Sequence, residues 1–337
     1  MVRVGFVGAG FIARFHHMML TGASAESEIV AVVDADPERA ESFAASTGAT
    51  KVDSVEELVD LVDAVFVCTW TAAHHDAVAV AVERGKAVFC EKPLATDLEH
   101  ARALAELVTA SGVTNQVGLV LRRSPAFTLV KQLLAHPDAG RVMAVVLRDD
   151  QFIPIQGMYG SDWRADTERA GAGTILEHSI HDVDLLEWLL GPVERVSGWT
   201  REFHGIPGIE DAATASFSFA SGAVGSLVSV WHDVLERPSL RHVEVFCERL
   251  QVTVEGDWFG PVRWTLTGGP EQVLEGTELL AALDPPLPDG GNPDGEFIEA
   301  VAAGRPASPD VTEALRAHVV VDALYRSAAE DGTPAVP

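Results

Sequence analysis

The stretch VRVGFVGAGFIARF, residues 2–15, decides the fold. An apolar, β-branched run from Val2 to Val7 leads without a spacer into Gly8-Ala9-Gly10-Phe11-Ile12-Ala13, the pattern G-x-G-x-x-A at a helix opening. The first glycine permits a tight turn and the second lets an anion approach the backbone. The small third residue lets the helix pack on the sheet, its N-terminus facing the anion. A second β-branched run ends at Asp34, 21 residues past Ala13, where an acid accepts hydrogen bonds from a ribose. A glycine turn beside a helix-capping aspartate is the competing explanation; the strand before, the helix after and the spacing to Asp34 weigh against it. The pair Ala35-Asp36 offers no Arg or Ser to a 2′-phosphate, so the pattern points to NAD rather than NADP.

Outward from this motif, β-branched runs alternate with amphipathic stretches up to about residue 120, the pattern of a doubly wound parallel sheet. Strands are expected at residues 2–7, 28–34, 50–52, 64–69, 87–91 and 114–119, with helices at 11–20, 37–46, 54–59, 73–84 and 96–110. Ser54 with Glu57 and Thr96 with Glu99 read as capping boxes, and Ser124-Pro125 as a cap followed by proline. Beyond it, runs at 141–150, 193–203, 212–219, 223–231, 242–246, 251–254 and 262–267 follow one another with few helices, which predicts a largely antiparallel sheet. One helix from Thr174 to Leu190 interrupts them, and helices near 296–303 and 312–329 close the chain. This organisation suits 337 residues, enough for two cores.

The balance of 24 basic against 50 acidic residues leaves a formal charge of -26, a field that repels nucleic acid and anionic membrane surfaces. Cys68, Cys90 and Cys247 lie far apart without metal-site spacing; Cys68 and Cys90 sit inside apolar runs and read as buried free thiols, which suits a cytoplasmic location. The apolar N-terminus lacks a cleavage signature before Thr21, and no run of ~18 apolar residues offers a span.

Two places carry candidate chemistry. Glu91-Lys92-Pro93 stands at the carboxyl end of the fifth strand, the edge where such sheets bind ligands, and a Lys there can polarise a reacting oxygen. The chain has only four lysines, which favours this over an ordinary exposed strand end. On the helix from Thr174, Glu177, His181 and Asp184 fall at i, i+4 and i+7. A His suits proton transfer near neutral pH, and a carboxylate one turn away can orient its ring. With His178 and Asp182 the stripe also offers metal-ligand types, although an open zinc site usually wants three converging ligands, often two of them His, so no metal is expected.

With these residues in order, the chain resembles the Gfo/Idh/MocA oxidoreductase family over nearly its whole length. The strongest likeness lies in GKAVFCEKPLATDLEHARAL and GAGTILEHSIHDVDLLEWLLGPV. The resemblance implies a Rossmann domain, residues 1–122, binding NAD through Gly8, Gly10, Phe11, Ile12, Ala13, Asp34, Thr69, His74, Glu91 and Lys92. It implies a C-terminal α/β domain, residues 123–337, whose open mixed sheet binds substrate and forms a homo-oligomer, dimer or tetramer. Lys92 and His181 then serve hydride transfer on a sugar, polyol or related alcohol. Glu177 stands where the family carries Asp, and Trp70 where it usually carries Pro. His16 and His74 match family histidines. Trp163, Arg164, Glu177, His178 and His181, with Lys92, are the substrate candidates, and Arg123, His232 and Arg237 extend that wall. Two other readings stay open, an NAD-dependent glycosidase of the same fold and a non-catalytic NAD-binding regulatory protein.

Overall fold

In the computed structural model, which describes residues 1–337, the N-terminal apolar runs form six strands. They are β1 (Val2–Val7), β2 (Ser27–Val33), β3 (Thr50–Lys51), β4 (Ala64–Val67), β5 (Ala87–Cys90) and β6 (Asn115–Val117), in the order β3-β2-β1-β4-β5-β6. Every neighbouring pair is parallel. That follows from the helices in the connections: α1 (Phe11–Thr21), α2 (Pro37–Thr47), α3 (Val55–Leu61), α4 (His74–Glu83) and α5 (Leu98–Ser111). The order reverses between β1 and β4, which puts a ligand crevice at the carboxyl ends of those two strands.

Two caps match their expectation and one does not. Ser54 Oγ accepts from the Glu57 amide while Glu57 accepts from the Asp53 amide, and Ser124 accepts from the Phe127 amide. At α5, Asp97 caps in place of Thr96 by accepting from the His100 amide at 2.9 Å. An ionised carboxylate is the stronger acceptor, so the helix starts one residue late.

A single division after residue 122 understates how often the chain crosses between its two units. The first unit comprises Met1–Leu119, Glu168–Gly171 and Asn292–Arg316. The reason is packing: Phe297 lies edge-on to Phe66 and Phe89, with centroids 5.5 and 5.6 Å apart, inside the cluster that holds Phe6 and Phe43. A helix far along the chain thus completes the core of the N-terminal sheet.

The second unit, Val120–Thr167, Ala172–Gly291 and Ala317–Pro337, holds an eight-stranded sheet. Its strands are β7 (Val142–Phe152), β8 (Val193–Arg201), β9 (Ala212–Phe219), β10 (Val224–His232), β11 (Leu240–Cys247), β12 (Leu250–Glu255), β13 (Val262–Leu266) and β14 (Gln272–Leu274), ordered β14-β13-β12-β11-β7-β10-β9-β8. All pairs are antiparallel except β7 with β10, so the sheet is mixed. The remaining helices are α6 (Pro125–Leu134), α7 (Thr167–Ala170), α8 (Thr174–Glu177), α9 (Ile180–Leu190), α10 (Thr277–Ala282), α11 (Pro293–Ala303) and α12 (Val311–Ala329). β14 and α10 had no counterpart in the sequence reading.

The expected continuous helix 174–190 is broken into α8 and α9. His178 (φ -120°, ψ -61°) leaves helical geometry, and the Ser179 amide reaches back five residues to the Thr174 carbonyl. The hydroxyls of Thr174 and Ser179 both meet Ser229 Oγ on β10 at 2.7 Å, a tertiary tie that favours the break. All three cysteines are free and buried, and no helix is long and apolar enough to cross a membrane.

Candidate active site

The phosphate loop is shaped for close approach. Gly8 has φ +94°, and a Cβ there would meet the Cys68 carbonyl oxygen of the next strand at 2.6 Å, so only glycine fits. A Cβ on Gly10 would meet nothing within 4 Å, so the backbone faces open space where a pyrophosphate fits. Beyond Gly10, Phe11 is exposed, Ile12 half-buried and Ala13 fully buried against the sheet. The Ala9 amide donates to Asp34 at 2.7 Å and the Asp36 amide does so at 2.8 Å, which locks the Asp34 carboxylate at the end of β2. On β4's edge, Thr69 Oγ1 is buried without a protein partner, a hydroxyl that suits a polar ligand.

The two residues after Asp34 bring no cation to it, but a more distant one does. Arg39, on the first turn of α2, brings Nη1 to 3.7 Å from Asp34. It is five residues beyond Asp34, too far along the chain for an inspection of the next two residues to register.

At the lysine end, the Lys92 amide donates to the Glu91 carboxylate at 3.1 Å and Lys92 itself is half-buried. His74 is buried, with Nδ1 2.9 Å from the Pro93 carbonyl and Nε2 3.3 Å from the Thr69 carbonyl. It braces the turns after β4 and β5 against each other. Trp70, where the resemblance expects Pro, carries the Arg169 guanidinium over its ring at 5.1 Å.

In the second unit the candidates divide. Arg164 stacks on Trp163 at 4.1 Å and donates to Glu177 at 3.1 Å, so these three form one group. The break between α8 and α9 takes Glu177 off the helix that carries His181 and Asp184. Asp184 is instead gripped by Arg122 through two hydrogen bonds of 2.6 and 2.8 Å. His181 sits half-buried at the start of α9, and His178 Nε2 lies 2.7 Å from Asp149.

Consecutive residues of a strand face opposite ways, and β7 uses this to separate the remaining candidates. Asp149 faces His178 and the buried Arg241, whereas Asp150 is shared by Arg148, Arg237 and His232 on the other face. His232 and Arg237 are therefore not grouped with His178.

Residues outside the sequence reading hold the site. The Glu210 carboxylate accepts from the Gly173 and Ile175 amides and from Tyr325, whose oxygen in turn accepts from the Leu176 amide. This clamp fixes the segment leading into Glu177. A Cβ on Gly173 would fall on the Glu210 backbone oxygen, so the glycine is obligatory there. Arg241 is enclosed by Asp149, Asp182 and Asp257. Burial and the neighbouring Asp149 outweigh Arg241 and push Asp182 up to about 7. No group of three or more His, Cys, Asp and Glu is arranged to hold a metal ion. The one sequence signal for this network was the charged run Arg148-Asp149-Asp150 inside an otherwise apolar strand.

The profile described as an oxidoreductase family with an NAD-binding Rossmann fold matches residues 2–119, and that of the Gfo/Idh/MocA C-terminal domain matches residues 127–253. The chain belongs to the Gfo/Idh/MocA oxidoreductase family. Similar proteins include the 1,5-anhydro-D-fructose reductase of Ensifer adhaerens, 34% identical over 231 residues that take in 66% of this chain and 68% of that one. Inositol 2-dehydrogenase 3 of Saccharopolyspora erythraea is 36% identical over 196 residues, 56% of this chain and 54% of its own length. Levoglucosan dehydrogenase in complex with NADH and levoglucosan shares the fold, with a TM-score of 0.87 at 21% identity, covering 100% of this chain and 99% of that one. The family member described here is an NAD-dependent oxidoreductase, and its phosphate loop, Asp34 and Thr69 fit that cofactor.

Proposed function

We propose that this oxidoreductase interconverts a hydroxyl and a carbonyl on a sugar, polyol or related small alcohol. The supporting observation is that Gly8 comes directly after β1, and Thr69 and Lys92 two residues after the ends of β4 and β5, at one carboxyl edge of the parallel sheet, with His74 bracing the last two turns. Bound NAD supplies the hydride acceptor. Lys92 presents its ammonium to the substrate oxygen and stabilises the charge that develops there, and His181 takes the hydroxyl proton. Glu177, held by Arg164, and Trp163 and His178 bind the substrate's other hydroxyls. In the reverse direction His181 returns the proton.

The test is NADH absorbance with a panel of inositols, neutral sugars and sugar acids. Turnover of at least one substrate that falls ~10²-fold or more in Lys92→Ala supports the reading, and undiminished turnover in that variant rejects it.

We further propose that the free face of the eight-stranded sheet pairs with a second copy. Val146, Val224 and Val228 are 42%, 55% and 39% exposed on that face, an apolar patch suited to a self-complementary interface. Light scattering should give a multiple of 35.9 kDa, dimer or tetramer, and a monomer at micromolar concentration rejects this. Three free buried thiols suit work in the reducing cytoplasm.

A further inference from the structure

The first unit contains a buried charge cluster that the chemistry above does not use. His16 on α1 places Nδ1 2.8 Å from Asp294 and Nε2 3.0 Å from Glu91, with all three side chains almost wholly removed from solvent. A neutral imidazole has one N–H, so one of two ionised carboxylates would then face a ring lone pair at hydrogen-bonding distance. With both carboxylates ionised, the two contacts are satisfied together only by the doubly protonated ring. Burial opposes that charge, but Asp294 and Glu91 outweigh it and push His16 up to about 10, and His16 in turn holds Glu91 below its usual range despite burial.

The cluster reaches Lys92 through Glu91. One Glu91 oxygen meets His16 and the other accepts the Lys92 amide at 3.1 Å. Asp294 is delivered by α11, whose cap Asn292 donates to the Met19 carbonyl on α1 and whose Pro293 carbonyl accepts from Gln116. Gly118 supplies the seat, since a Cβ there would come within 2.5 Å of the Glu91 carboxylate. Around the cluster lie the rings of Phe66 and Phe89 and the thiols of Cys68 and Cys90, which burial first and Glu91 second keep protonated.

We infer that His16 and Asp294 are positioning residues for Lys92: together they fix the Glu91 carboxylate, and that carboxylate fixes the backbone at the lysine. The inference rests on the proposed role of Lys92 and adds that α11, about 200 residues further along the chain, takes part in setting it. A buried carboxylate deprived of its cation becomes protonated or rotates away, and the Lys92 amide then loses its acceptor.

Two measurements on the whole protein test this without substrate. In ¹⁵N spectra of histidine-labelled protein, with His16 assigned by its disappearance in His16→Gln, the ring should remain doubly protonated at pH 8.5; a neutral ring there overturns the inference. Amide exchange of the segment containing Lys92 should quicken at least tenfold in Asp294→Asn. Gly118→Ala, which displaces Glu91 without altering charge, should do the same if the first variant fails to fold. Unchanged exchange in a folded variant also overturns it. With a turned-over substrate, Asp294→Asn should lower kcat about tenfold, leave the KM for NAD within twofold, and add nothing in a Lys92→Ala background. An equal loss in both backgrounds means a merely structural role, whereas turnover that survives Lys92→Ala condemns the proposed function and leaves both substrate-free readouts standing.

Discussion

The lysine end in the first unit and the histidine end in the second are both backed by buried charge clusters, but the cation differs. Around Lys92 the central cation is His16, between two acids; behind His178 it is Arg241, among three. A guanidinium does not titrate in the working range, so the second cluster answers pH through an acid, Asp182, while the first answers through its histidine. The same device, a cation enclosed by carboxylates, therefore has opposite weak points in the two units.

The largest expected effects separate the two ends chemically. His181→Ala removes the proton acceptor and should lower turnover on the order of 10²- to 10⁴-fold with NADH binding, followed by fluorescence, nearly intact. Lys92→Ala should cost ~10²-fold or more, because it removes a fixed charge at the developing oxyanion. Full activity in the His181 variant would move the assignment to His178.

Next in size is the cost of emptying the second cluster. Arg241→Met leaves Asp149 and Asp182 buried without their shared cation and should destabilise the protein by about 3–5 kcal/mol in urea unfolding. A loss under ~1 kcal/mol would show that protonation of the acids compensates.

The pH dependence of unfolding then distinguishes the clusters. His16 is raised from 6.5 to about 10 in the folded protein, so its contribution is present below 6.5 and is lost as pH rises through about 10. Asp182 is raised from 3.8 to about 7, so the folded state binds the extra proton and stability falls as pH rises through that window. Thermal unfolding should therefore become flatter between pH 4 and 7 in Asp182→Asn, and flatter between pH 7 and 10 in His16→Gln, each relative to wild type. The opposite assignment of windows would break the comparison.

The smallest effect concerns a helix start beside the lysine strand. Asp97→Ala should cost about 1 kcal/mol in chemical unfolding and Thr96→Ala only a few tenths. Equal losses would restore Thr96 as the cap.

How much of this was legible varied by element. β1 and the phosphate loop were readable because strand, turn chemistry and helix opening are all local, and the spacing to Asp34 is set by one crossover connection. The position of Lys92 just beyond a short buried strand was legible for the same reason. Glu177 and His181 were expected on one helix and lie on two. The apolar periodicity of 174–190 continues through His178, and only the hydroxyl of Ser229, fifty residues away from Ser179, reveals the break.

What the sequence by itself determined was whatever depends on neighbours along the chain: the alternation of strand and helix that makes a parallel sheet, the glycine turn after β1, and the placing of Asp34 and Lys92 at strand ends. Tertiary structure alone decided which charges meet. Asp294 reaches His16 across 278 positions and Arg241 reaches Asp149 across 92, and neither pairing leaves a periodic trace. An ion pair in a dry interior is selected by distance and by the absence of water, and both come into being only when the chain has folded.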